Sequence, residues 1–353
     1  YDLRNLGVLS LLRIENILSH AKDVQLNKFE ASELFCACNI LANLLAKHDK
    51  DLVDWLVKIF EILITQASKK HLAELFKACY LFRPYLIVLD LALPELTKTI
   101  NYRDQNAIKN YFEKINKSDY SPPEFIELIK DKSVAIVGPS SSGQTLGNEI
   151  DTFDTVIRMS VDNLSDLDHT ITGNKVTISY FSGHTAKSQQ KIIDLVNQVP
   201  FVSISLPKFA PLLFDLNNKI YESKYSHVRK TVMLKHVSKF QVYTSPNLLQ
   251  VILVDILRYN PSRVKVFYSN MFAKKTYDSN YKSVEGLRQR SGEFQRYSLS
   301  SLTMINHDPI SNFLLVKSLF ESKLLEADPI LSEVLNMSPE QYLDSLKTNI
   351  TLI

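Results

Sequence analysis

The chain has 353 residues, 45% of them hydrophobic and 22% charged, with a formal net charge of +3. That composition fits a globular chain long enough for two ordinary domains and excludes a disordered one. The weak net charge argues against nucleic acid as a partner, and no apolar run reaches the ~18 residues of a membrane span.

Residues 1–122 read as helix throughout, an all-α, helical-repeat-like domain for docking or support. Apolar residues recur at three and four: Leu34, Cys38, Leu41, Leu44 and Leu45, then Leu52, Trp55, Leu56 and Phe60. Glu33-Leu34-Phe35-Cys36-Ala37-Cys38 recurs as Glu74-Leu75-Phe76-Lys77-Ala78-Cys79, identical at five of six positions. Such an echo suits stacked helical hairpins, or arises by chance between two amphipathic helices. Cys36, Cys38 and Cys79 are the only cysteines and read as reduced core residues, which suits a cytoplasmic protein.

Asp119-Tyr120-Ser121-Pro122-Pro123 breaks the helical pattern and marks a domain boundary, with a second domain over 123–353. Strand candidates there are Val134–Val137, Thr155–Met159, Val176–Phe181, Phe201–Ile204, Phe240–Tyr243 and Val264–Tyr268. Helices are expected at Ala186–Gln198 and Pro246–Tyr259. From Ser311 to Leu346 the chain is helical again, with a cap at Ser338. Short apolar strands alternating with helices predict an α/β fold, a Rossmann-like, mostly parallel sheet with helices on both faces. A ligand is then expected at the carboxyl ends of the strands.

The first strand runs into Gly138-Pro139-Ser140-Ser141-Ser142-Gly143-Gln144-Thr145. The spacing is that of a P-loop, but Gln144 stands where the phosphate-binding lysine belongs. Gly138, Gly143 and Gly147 do not form the G-x-G-x-x-G of a dinucleotide fold. Asp166-Leu167-Asp168, followed by His169, has the Asp-x-Asp form that holds a divalent metal on a nucleotide diphosphate; the alternative is a solvated acidic loop. Lys274, Lys275, Arg288, Arg290 and Arg296 read as a solvated basic face.

The stretch AIVGPSSSGQTLGNEIDTFDTVIRMS resembles the large sialylmotif of sialyltransferases, through Gly138, Gly147, Ile150-Asp151, Asp154 and Val156-Ile157-Arg158-Met159. Gly173-Asn174-Lys175-Val176-Thr177 is similar to that motif's closing Gly-x-x-Thr. Tyr243-Thr244-Ser245-Pro246, an apolar helix and Val264–Tyr268 resemble the small sialylmotif. Asn306-His307-Asp308 and the helix carrying Glu321 resemble the late histidine motif. Together these cover roughly 131–325. Pro139 and Ser160 replace two asparagines usual in the family, a glycine is missing at Pro246-Asn247, and 119–353 holds no cysteine for the animal enzymes' disulfide. The departures point to a remote, bacterial-type branch.

The resemblance implies a GT-A-variant fold and a CMP-activated ulosonic acid, sialic acid or a Kdo-like relative, as donor. It implies transfer to a glycan hydroxyl without metal or resident cofactor, in capsule or lipopolysaccharide synthesis at the inner face of a bacterial membrane. Docking to the membrane or an assembly complex would fall to the helical domain. His307 is the expected base for the acceptor hydroxyl, with Asp308 orienting it or capping the next helix. Gly138, Ser140, Ser141, Ser142 and Ser160 are expected on the CMP side of the donor, and Tyr243, Thr244 and Ser245 on its phosphate from the other side. Ser182 and His184 are expected at the acceptor or the sugar carboxylate. Arg158, inside a strand, is either functional or paired with Asp151 or Asp154, and the structural reading is favoured because a strand-embedded arginine usually needs a carboxylate partner. Three other readings stay open: a metal-dependent transferase using Asp166 and Asp168, a non-catalytic binding or docking protein, and a P-loop NTPase.

Overall fold

The computed structural model describes residues 121–140, 143–159, 164, 167–181, 195, 198–205, 227–231, 246–273 and 309–349. They form a seven-stranded sheet. In chain order the elements are α1 (Pro123–Glu127), β1 (Ser133–Val137), α2 (Gly147–Asp151), β2 (Thr155–Met159), α3 (His169–Thr172), β3 (Ile178–Phe181), β4 (Phe201–Ser205) and β5 (His227–Thr231). There follow α4 (Leu248–Leu257), β6 (Arg263–Phe267), α5 (Pro309–Glu321), β7 (Glu326–Ala327), α6 (Pro329–Leu335) and α7 (Pro339–Asn349). The expected all-α domain, apart from Ser121 and Pro122, lies outside the described residues. So do the strand Phe240–Tyr243 and, save Leu195 and Gln198, the helix Ala186–Gln198.

The sheet order is β5-β4-β3-β2-β1-β6-β7, and every pairing is parallel. β1 is therefore the switch strand: the chain steps outward from it through β2 to β5, then returns to its other side for β6 and β7. Parallel strands are covered on both faces, which is why Val134–Val137 and Thr155–Arg158 are buried as runs rather than in alternation. Right-handed crossovers in opposite directions put helices on opposite faces, and the contacts agree. On one face Ala135, Val137, Val156 and Phe267 pack with Ile150 and Phe153, beside Leu146 and Ile171 of the α2–α3 layer. On the other, Tyr180 of β3 donates to Asp255 of α4 (2.8 Å), and Phe125 of α1 meets Phe201 of β4 edge-on at 5.6 Å.

Two strands escape the sequence reading. β5, His-Val-Arg-Lys-Thr, is the outermost strand among the described residues and has the charged composition that edges carry, and β7 is only two residues long. β3 starts at Ile178 rather than Val176; ahead of it the N–H groups of Asn174 and Lys175 bond Asp151 (2.9–3.0 Å) and Thr177 N bonds Val156 O of β2 (2.8 Å). α4 begins after Pro246, where Asn247 caps it by accepting from Gln250 N (3.1 Å). The expected cap at Ser338 forms a reciprocal box: its Oγ accepts from Gln341 N (3.2 Å), and Gln341 Oε1 accepts from Ser338 N (2.8 Å). Among the described residues no helix is long and apolar enough to cross a membrane.

Candidate functional site

Parallel strands all end at one edge, and the switch between β1 and β6 places two outgoing loops side by side there. At Gly138 the backbone passes so near Tyr268 O and Met159 that a side chain would collide with both. Gly138 N donates to Phe267 O (2.8 Å), and Ser140 N donates to Tyr268 O (3.0 Å). At 138 and 140 the backbone N–H groups of the turn are therefore spent on the end of β6 and the residue after it. Ser140 is half-buried, and its hydroxyl takes part in no hydrogen bond among the described residues.

Tyr268 leaves β6 with φ 54°, a left-handed conformation unusual for a bulky residue. Its ring is buried, and its hydroxyl lies 2.6 Å from Ile171 O and 3.0 Å from Gln144 O while accepting from Leu146 N at 3.2 Å. Its own N–H donates to Asp328 Oδ2 (2.7 Å). Asp328 is buried and caps α6 through Leu331 N (2.8 Å); burial pushes its carboxyl above the ordinary range against the pull of those N–H donors. Met271 and Phe272 are left-handed as well (φ 49° and 67°), with Phe272 N bonded to Asn270 Oδ1 (3.1 Å). Tyr342 of α7 fastens this exit to the start of α5, its hydroxyl 2.5 Å from Met271 O and 3.4 Å from Pro309 O. The starts of α4 and α5 also meet, Asn247 N donating to Asn312 Oδ1 (3.4 Å).

The charged residues of the first motif are framework. Asp151 grips the chain after α3 through Asn174 N and Lys175 N. Asp154 ties β2 to the start of β1, accepting from Ser133 N (2.9 Å) and Oγ (2.7 Å), which hold its carboxyl below the usual range. Arg158 bonds neither carboxylate; it donates to the carbonyls of Lys175 (3.1 Å), Thr172 (2.7 Å) and Gly173 (2.9 Å). Burial lowers its pKa to about 10, opposed by the charge of Asp151, so it stays protonated at neutral pH. The structural reading of Arg158 stands, but its partners are carbonyls. Gly147 packs directly on the backbone of α3 and Gly173, leaving no room for a side chain.

Asp168 caps α3, its Oδ1 accepting from Thr170 N (3.0 Å), Ile171 N (3.3 Å) and Thr170 Oγ1 (2.7 Å); these bonds hold its carboxyl below the usual range. Among the described residues no cluster of three or more His, Cys, Asp or Glu is arranged to hold a metal. Of the expected site residues, Gly138 and Ser140 stand at the switch point. Ser141, Ser142, Ser160, Ser182, His184, Tyr243, Thr244, Ser245, His307 and Asp308 lie outside the described residues, as does Asp166.

Sequence reasoning missed Tyr268, Asp328 and Tyr342. Asp328 had a legible signal, an Asp immediately before Pro329 at a helix start. Nothing in residue type foretells a left-handed tyrosine. No family model matches the chain, and no curated protein matches it.

Proposed function

We propose that the chain is a glycosyltransferase with a sialyltransferase-like, GT-A-variant domain that moves a CMP-activated ulosonic acid onto a glycan hydroxyl without metal. The observation that carries the reading is the switch point itself: a glycine-led turn after β1, clasped to the exit of β6 at the carboxyl edge. That is where open parallel sheets bind nucleotides. In this reading Gly138, Ser140, Ser141, Ser142 and Ser160 line the CMP side of the donor, the serines of the turn at its ribose and phosphate, and Tyr243, Thr244 and Ser245 meet the phosphate from the other side. Ser182 and His184 face the acceptor or the sugar carboxylate. His307 takes the proton from the acceptor hydroxyl as its oxygen bonds the anomeric carbon, while the carbon–oxygen bond to phosphate breaks and its electron pair leaves with CMP. One direct displacement inverts the anomeric centre. Asp308 orients His307. The setting is bacterial capsule or lipopolysaccharide synthesis at the inner face of the membrane, with docking through residues 1–122.

The metal-dependent alternative would have to use Asp168 through its second carboxylate oxygen, because Oδ1 caps α3. A thermal-shift panel of CMP, CDP, UDP, GDP and ATP, each with and without Mn²⁺ or Mg²⁺, tests the reading, since a ligand of the native state raises its melting temperature. Stabilisation by CMP and CDP without metal is expected, followed by loss of transfer in His307→Ala. Stabilisation by UDP or GDP only with metal would transfer the reading to Asp166 and Asp168, and no response to any nucleotide would leave a docking protein.

A further inference from the structure

We infer that Tyr268 is a positioning residue that pins the turn after β1 at 140 and at 144–146, so that the grip of this turn on a ligand is controlled from the exit of β6. The inference rests on the proposed donor site for its ligand half and on geometry alone for the rest.

A left-handed φ of 54° costs a tyrosine strain that a glycine in the same place would not feel. Glycine, however, supplies no hydroxyl, and the hydroxyl is the node of this region. Leu146 N divides its hydrogen bond between Tyr268 Oη and Ile171 O, both at 3.2 Å. The single phenol proton lies between the carbonyls of Ile171 (2.6 Å) and Gln144 (3.0 Å). The same residue's carbonyl holds Ser140 N. One residue thus fixes the turn at both ends, at 140 and at 144–146, and joins it to α3. Asp328 in turn holds the Tyr268 backbone by accepting its N–H. A turn pinned at 140 and at 144–146 before its ligand arrives loses less entropy on binding, so affinity depends on the clamp.

The test compares the whole chain with Tyr268→Phe, which keeps the ring and its packing and removes only the hydroxyl. Two readouts are taken: amide hydrogen exchange of the peptide covering 139–147 without ligand, and the affinity for CMP by titration. Faster exchange confined to that peptide is expected, with strands β1 and β6 unchanged, and CMP binding about 3–10-fold weaker, the scale of one lost hydrogen bond. Unchanged exchange of 139–147 overturns the inference, and so does faster exchange with unaltered CMP affinity. Should the wild-type chain not bind CMP, the donor reading fails alone, and the exchange comparison still decides whether Tyr268 clamps the turn. If Tyr268→Phe does not fold, Asp328→Asn loosens the same residue through its backbone and carries the same expectation.

Discussion

Arg158→Met separates framework from chemistry in the most motif-like part of the chain. Arg158 is 2% exposed and spreads three charge-assisted hydrogen bonds over the carbonyls of Thr172, Gly173 and Lys175. Methionine fills much of the volume and leaves those acceptors unpaired. Gly173 is buried, whereas Thr172 and Lys175 are half-buried, so water recovers part of the loss. Relief of a buried cation, visible in the lowered pKa of Arg158, offsets another part. The net cost is about 2–4 kcal/mol. For a domain of this size that lowers the melting temperature by about 4–16 °C. Denaturant unfolding followed by circular dichroism measures it, with the midpoint moving and the slope constant. Arg158→Lys is expected to fall between the two, because one ammonium cannot serve carbonyls set around a planar fork. Folded Arg158→Met should still respond to CMP with wild-type affinity. An unchanged midpoint together with abolished nucleotide binding would refute the argument and make Arg158 a ligand contact.

Asp255 and Arg258 form a fully buried ion pair (3.2 Å) that also receives Tyr180 Oη and reaches Ser121 Oγ, so Asp255→Ala takes this carboxylate partner from a buried cation. A loss of about 3–5 kcal/mol in unfolding free energy is expected, whereas Glu326→Ala, which frees the exposed Arg263, is expected to cost at most about 1 kcal/mol. Asp328 predicts a pH signature. Its native pKa is raised above the ordinary 3.8, so the folded state takes up the proton before the unfolded one as pH falls. Wild type should therefore gain stability relative to Asp328→Asn between the raised native value and 3.8, a difference read from paired denaturation midpoints across that window. A gap that instead widens in favour of wild type as pH rises would contradict the buried carboxylate.

Five of the six strand expectations were legible to within two residues, because a central parallel strand must be apolar on both faces, as Val134–Val137 is. β5, the outermost strand among the described residues, was not, because edge strands commonly carry charged residues and His-Val-Arg-Lys-Thr reads as loop. The acids and the arginine after the first strand were legible as special but not as to what they do. Asp151, Asp154, Asp168 and Arg158 all spend their charge on backbone groups, and a sequence displays side-chain types without showing which N–H or C=O a turn leaves over.

A polar residue set between two buried strands has two physical reasons to be there: it closes the backbone accounts of a tight turn, or it meets a ligand. Here Gly138 and Gly147 are required by backbone contact, and Asp151, Asp154 and Arg158 by backbone hydrogen bonds, which together explain the charged and glycine positions that carry the family likeness in this stretch. Those positions therefore specify how β1, α2, β2 and α3 lock together, and a chain can keep them for that reason alone. Chemistry has to come from the positions the lock leaves over, of which Ser140 is the described example: its N–H is committed to Tyr268 while its hydroxyl is not. Likeness in this motif is evidence of architecture first. The nucleotide panel and the Tyr268 comparison are independent of it, because they interrogate the turn that the architecture holds rather than the residues that hold it.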